Sequence, residues 1–311
     1  MRQTLGLVTR LFAFCAFFIP SLSPAFDAET AGFTVRVGEV NSGYQTFGFF
    51  VLPEEALKIE ARATSEAVDA YELTGGSEAN ATRIAANQWE WKAPVKPGLY
   101  PLTVTQKESG ESMTLNLFVL VPLKTAAKGS LNGYRIGKYP AAKPGYDLPK
   151  GFIEVTRANE DTLVSPHFRV KQFLCKQSGG YPKYVVLREK LVQKLELLLD
   201  GVNRRGHAVN SFHIMSGYRT PHYNHAIGNV KYSRHQWGDA ADILLDEIPH
   251  ARTKEQVRAM DAARFSQIVD ETPAGLQNAG LVGGVGKYKA NKAHGVFVHV
   301  DVRGQDARWG H

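Results

Sequence analysis

The chain has 311 residues, 43% of them hydrophobic, with 37 basic against 30 acidic side chains and a formal charge of +7. That length supports two domains, and a pair of cysteines, only one of them beyond residue 25, excludes a disulfide-stapled fold. The modest positive balance suits an anionic polymer without choosing between cell wall, nucleic acid and lipid surface.

Arg2 and Arg10, an apolar run over 11–19 and the small residues of Ser23-Pro-Ala25 describe a secretory signal peptide over 1–25. The run is well short of the roughly 20 residues a spanning helix needs, so no transmembrane span is expected once the signal is removed. Removal takes two arginines and no acid, lowering +7 to +5. Cys175, behind Phe173 and Leu174, reads as a small buried hydrophobe.

Residues 26–123 read as short strands. Phe33-Thr-Val-Arg-Val37 alternates, as do parts of 45–52, 56–61 and 99–105, and 113–121 is a longer apolar candidate. Gly75-Gly76, Pro94, Pro97-Gly98 and Ser109-Gly110 punctuate them. The spacing predicts an all-β sandwich, and Trp89-Glu-Trp with Pro97-Gly-Leu-Tyr100 resembles the end of an immunoglobulin-like module. No catalytic cluster falls here, so this domain is expected to contact the wall or another protein. Residues 124–150, rich in Ala, Gly, Pro and Lys with three tyrosines, read as a linker.

The second domain, 151–311, reads as α+β around a central antiparallel sheet. Leu187, Leu191, Leu195, Leu198 and Val202 recur at helical steps and predict a helix over 184–203. Strands are expected at 212–216, 240–245 and 296–302. A capping box at Thr253-Lys-Glu-Gln256 opens a second helix, and glycines 280, 283, 284 and 286 predict a loop before the last strand.

That last strand is the most informative. In Val296-Phe-Val-His-Val-Asp-Val302 the valines share one face, so Phe297, His299 and Asp301 share the other. A core strand with histidine and aspartate on one face needs a reason, and a metal supplies it. Ser233-Arg-His-Gln-Trp-Gly-Asp-Ala-Ala-Asp242 adds His235 and, at the start of an apolar run, Asp242. A carboxylate entering a buried strand is costly unless paired or coordinated. Two imidazoles and one carboxylate form a three-ligand zinc set that leaves a fourth position for water, the hallmark of catalytic zinc.

Together with Ser216-Gly-Tyr-Arg-Thr220, these segments over roughly 150–311 resemble the zinc D-alanyl-D-alanine carboxypeptidase family, which also contains murein endopeptidases. The His-Val-Asp ending and the glycine run are similar to its periplasmic murein endopeptidase branch. The resemblance implies zinc held by His235, Asp242 and His299, and Arg219 binding the substrate's carboxylate or carbonyl. It places His294 near the leaving group. Where many members keep an acidic general base, this chain has Val296. Asp301 as base, Asp301 as an orienter of a ligand histidine, and His294 as proton shuttle all remain open. Trp237 and Tyr223 are expected to line the substrate groove.

The implied function is a periplasmic zinc peptidase acting on peptidoglycan stems or crosslinks, with endopeptidase favoured over D,D-carboxypeptidase and no nucleic-acid partner. The alternative is a metal-containing wall-binding module without catalysis.

Overall fold

Alternation of apolar and polar side chains builds the N-terminal half. In the computed structural model, residues 26–63, 70–75, 81–206, 209–245, 267, 280–289 and 296–310 are described. Nine strands lie in this half among them: β1 (Thr30–Val37), β2 (Val40–Tyr44), β3 (Thr46–Val51), β4 (Ala56–Ala63), β5 (Tyr71–Gly75), β6 (Ala81–Ala85), β7 (Gln88–Lys92), β8 (Gly98–Gln106) and β9 (Ser112–Val119). One sheet runs β2-β1-β4-β7-β6 and the other β3-β9-β8-β5. β3 and β9 are parallel. The signal segment and the helix expected from Thr253 lie outside the described residues.

β7 shows how pattern becomes packing. Trp89 and Trp91 are buried while Glu90 and Lys92 between and beyond them are exposed, as period-two alternation requires. Phe33 of β1 meets Tyr71 of β5 at 4.9 Å between ring centroids, and Tyr44 of β2 stacks on Phe47 of β3 at 6.1 Å. The two sheets therefore share an apolar interior. β6 contains no buried residue, which is why its sequence carries no strand signal.

Residues 124–150 are fastened to the second half. The His222 amide donates to Ile136 O (2.9 Å), the Tyr139 and Tyr218 hydroxyls are 2.9 Å apart, and Arg234 Nη1 donates to Gly145 O (2.5 Å). Short strands at Ser130–Leu131 and Tyr134–Arg135 form a hairpin within it.

The second half carries α1 (Glu189–Arg204) and α2 (Pro221–Ala226). α1 buries Leu191, Leu195, Leu198 and Val202 as the spacing predicts, but starts later than expected. Residues Lys183–Val185 form a strand paired with Gly151–Val155, and the Tyr184 hydroxyl donates to Glu154 Oε2 (2.7 Å). Sheet pairing there overrides helical periodicity.

The central sheet runs, in spatial order, Phe212–Ser216, Ala240–Leu245, Phe297–Asp301, Gly284–Tyr288 and Ala307–Trp309. Its last pair is parallel and the others antiparallel. Gly284–Tyr288 was expected as part of a glycine loop and is a strand instead. Its glycines serve close packing: a Cβ on Gly284 or Gly286 would lie 2.7 or 2.4 Å from the Trp309 ring.

The two halves meet along one continuous apolar cluster. Glu189 Oε1 accepts from the Phe50 amide (3.1 Å), and Asn116 Nδ2 donates to Leu163 O (2.8 Å). Beside this seam the His167 ring faces Phe26 at 4.9 Å. Its backbone amide and Nδ1 both engage the buried Glu196 carboxylate, at 3.0 and 2.8 Å. Burial alone would lower the His167 pKa, but the Glu196 carboxylate outweighs it and the net direction is upward. A raised histidine pKa gives stability that is complete below the unfolded value of about 6.5 and fades as pH climbs through the folded one. His167→Gln should therefore lower the melting temperature more at pH 6 than at pH 8. Equal losses at both pH values in thermal unfolding would remove the proton linkage.

Candidate metal centre

Strand register assembles the site. Asp242 is the direct cross-strand partner of both Ser216 and His299, and His299 in turn pairs with Gly286, which pairs with Trp309. Five strands thus present one row running Ser216, Asp242, His299, Gly286, Trp309. The Trp309 ring lies 5.2 Å from the His299 ring. His299 and Asp301 share a face as the alternation predicts, while Val298 and Val300 are in the core.

His235 arrives from outside the sheet, on a 3-10 turn at Arg234–Trp237 closed by Gly238 in the left-handed region (φ 66°). A Cβ on Gly238 would sit 2.3 Å from Val186 O, so both the backbone turn and the space require glycine.

His235 Nε2, Asp242 Oδ1 and His299 Nδ1 converge. The separations are 3.2 Å from His235 to Asp242, 3.2 Å between the histidines and 2.9 Å from His299 to Asp242. Tetrahedral zinc with bonds of about 2.0–2.2 Å spaces its ligand atoms by roughly 3.3–3.5 Å, close to these values. The remaining ring nitrogens are engaged elsewhere. His235 Nδ1 lies 2.7 Å from Gly217 O, and His299 Nε2 lies 3.2 Å from Asp301 Oδ2. With a proton on each outer nitrogen, three lone pairs point at one another, an arrangement that repels unless a cation lies between them. The donor set therefore fits zinc, and the three residues are all buried.

The three groups shift in different directions. Burial pushes the Asp242 carboxyl up, but His235 and His299 outweigh it and hold it well below the usual carboxylate range. Burial lowers the His235 pKa. His299 goes the other way, because hydrogen bonds and charge from Asp242 and Asp301 overcome its burial.

Around His235, Asp242 and His299 stands a second set of contacts. Arg219 Nη2 donates to Asp242 Oδ2 (2.5 Å) and its Nε to Ser216 Oγ (2.8 Å). The arginine expected on substrate thus steadies a ligand carboxylate, while Nη1 has no hydrogen bond among the described residues. Asp301, fully buried, accepts from the Gly284 amide (2.7 Å) and from Arg303 Nε (2.9 Å) and Nη2 (2.5 Å). It sits behind His299, on the side of the ring away from the other ligands. From there it is placed to orient the imidazole, one of the roles the sequence left open. Lys194 of α1, also buried, donates to Asp301 O (2.7 Å), and burial pushes its ammonium down to about 8.

Arg303 lies in a charged, aperiodic segment where nothing in the sequence marks it out. Lys194 was missed too, although a signal was present: it falls between Leu191 and Leu198 on the apolar face of α1. Trp237, expected to wall the groove, is instead fully buried. It packs against Tyr139 (5.9 Å), Tyr146 (5.1 Å) and Tyr232 (6.1 Å). Tyr223 is half-buried in α2 and packs against the core. His294 lies outside the described residues.

Carboxylates that hold a ligand histidine tune metal affinity by about 10–100-fold. Asp301→Asn should weaken zinc binding by roughly that factor in a chelator competition while the protein stays folded; unchanged affinity would deny it the orienting role. Gly238→Ala should destabilise the protein by more than about 1 kcal/mol in denaturant titration, because the native φ suits alanine poorly.

Residues 166–271 match the family model described as Peptidase M15. No curated protein matches the chain. The matched region contains Arg219, His235 and Asp242, and His299 is brought to them by the sheet. M15 peptidases are zinc-dependent, and the match, together with the His-Asp-His cluster, supports a metallopeptidase in the C-terminal half of the chain.

Proposed function

We propose that this protein is an exported, periplasmic zinc peptidase that hydrolyses peptide bonds of peptidoglycan, cleaving crosslinks in preference to trimming terminal D-alanine. The observation that carries the reading is the convergence of His235 Nε2, Asp242 Oδ1 and His299 Nδ1, each oriented by a partner on its far side. Zinc, when bound there, supplies Lewis acidity that polarises a carbonyl and acidifies water.

The chain's own groups do the rest. Gly217 O fixes the His235 tautomer and Asp301 fixes that of His299. Arg219, anchored through Nε and Nη2, keeps Nη1 for the oxygen of a substrate carbonyl or carboxylate, a task that suits its planar fork. With Asp301 tied to Arg303, His294 is the proton carrier in this scheme, since histidine exchanges protons near neutral pH. Preference for crosslinks rests on the likeness of the His-Val-Asp ending and glycine run to murein endopeptidases. The N-terminal two-sheet unit is read as an immunoglobulin-like module that contacts the wall or another protein.

A second reading, a metal-containing wall-binding module without catalysis, is favoured by Val296 standing where relatives keep an acid, and by the engagement of Asp301. Digestion of purified sacculi followed by muropeptide mass spectrometry separates the readings. An endopeptidase converts crosslinked dimers to monomers, and a carboxypeptidase shortens stems by one alanine. Either activity should vanish on chelation, return with zinc and be absent in Asp242→Asn. Zinc-loaded protein that binds sacculi and leaves the muropeptide profile unchanged would establish the binding module instead.

A further inference from the structure

A groove of about 1150 Å³ lies between the 124–150 segment and the α2 region. Its walls include the buried apolar residues Ile136 and Pro221, and its lining carries Lys128, Lys138 and Lys231 with no carboxylate among the described residues. All three lysines are exposed, and none forms an ion pair among the described residues. Leu148, 46% exposed, stands on its edge.

Asn224, 2% exposed, also lines this groove. Its Nδ2 donates to Val230 O (3.0 Å), but its Oδ1 finds no donor among the described residues. A buried acceptor without a donor is unfavourable, by about 1–3 kcal/mol in general. A ligand with N–H groups relieves it.

We infer that this groove is a second binding site, for a carboxylate-bearing peptide. Its carboxylates meet the three lysines, its apolar side chains lie against Leu148 and Pro140, and a backbone N–H reaches Asn224 Oδ1. A fatty anion would match the lysines and leave Asn224 Oδ1 unpaired. The turn that supplies Gln236 to the groove supplies His235 to the metal set, so the two share one structural element. Identifying that peptide with a peptidoglycan stem rests on the proposed function, whereas the requirement for carboxylates does not.

Fluorescence anisotropy with a labelled stem-type peptide bearing free carboxylates, and with its fully amidated counterpart, tests the site. The protein is compared with Lys128→Gln/Lys138→Gln/Lys231→Gln, with and without EDTA. The acidic peptide should bind the parent in EDTA and lose roughly tenfold in affinity in the triple variant, as expected for three modest charge contacts. The amidated peptide should bind both proteins equally weakly. Equal affinity of the acidic peptide for both proteins, loss of its binding in EDTA, or lysine-dependent binding of anionic phospholipid vesicles without peptide binding would each overturn the inference. Sacculus digestion is scored separately: hydrolysis without lysine-dependent binding leaves the peptidase standing and removes the groove, and the converse leaves the groove alone.

Discussion

The pairing of Asp242 with His299 across two central strands is the constraint on which the site depends. Because side chains alternate faces, slipping either strand by one residue would send its ligand to the opposite side of the sheet. Val298 and Val300 hold the register by filling the core from the other face of the same strand. Packing and ligand placement are therefore set by one alternation. His235 joins only because a left-handed glycine turns the backbone back against Val186.

This concentrates charge in the interior. Asp242, Asp301 and Lys194 are each no more than 3% exposed, and an isolated buried ion carries a desolvation penalty of several kcal/mol. Each is matched. Asp242 has Arg219 and the two histidines, Asp301 has Arg303, and Lys194 has the Asp301 carbonyl. The network keeps Asp242 and Asp301 ionised, and Gly217 O and Asp301 Oδ2 stand at the outer nitrogens of the two imidazoles. Its contribution is thus to geometry and charge state at the site more than to folding free energy.

Sequence patterning drew out His299 and Asp301 because histidine and aspartate in a valine-rich strand contradict the apolar rule around them, and Asp242 because a carboxylate opens the apolar run that follows it. Arg303 escaped for the opposite reason: in a charged, aperiodic stretch nothing distinguishes an arginine that folds back from one in solvent. Trp237 was ambiguous because an aromatic next to a ligand looks the same whether it faces substrate or core. Its partners Tyr139 and Tyr146 come from a distant segment whose composition resembles a spacer. The start of α1 and the strand at Gly284–Tyr288 were obscured by tertiary pairing, which places Tyr184 beside Glu154 and Trp309 over two glycines.

The indole of Trp309 has a practical value beyond packing. It lies beside one ligand imidazole, while Trp89 and Trp91 belong to the sheets of the N-terminal half and Trp237 is enclosed by tyrosines. Of the four tryptophans in the chain, it is the one whose ring contact with the His-Asp-His cluster is seen among the described residues, so its intrinsic emission is placed to register a cation entering that cluster.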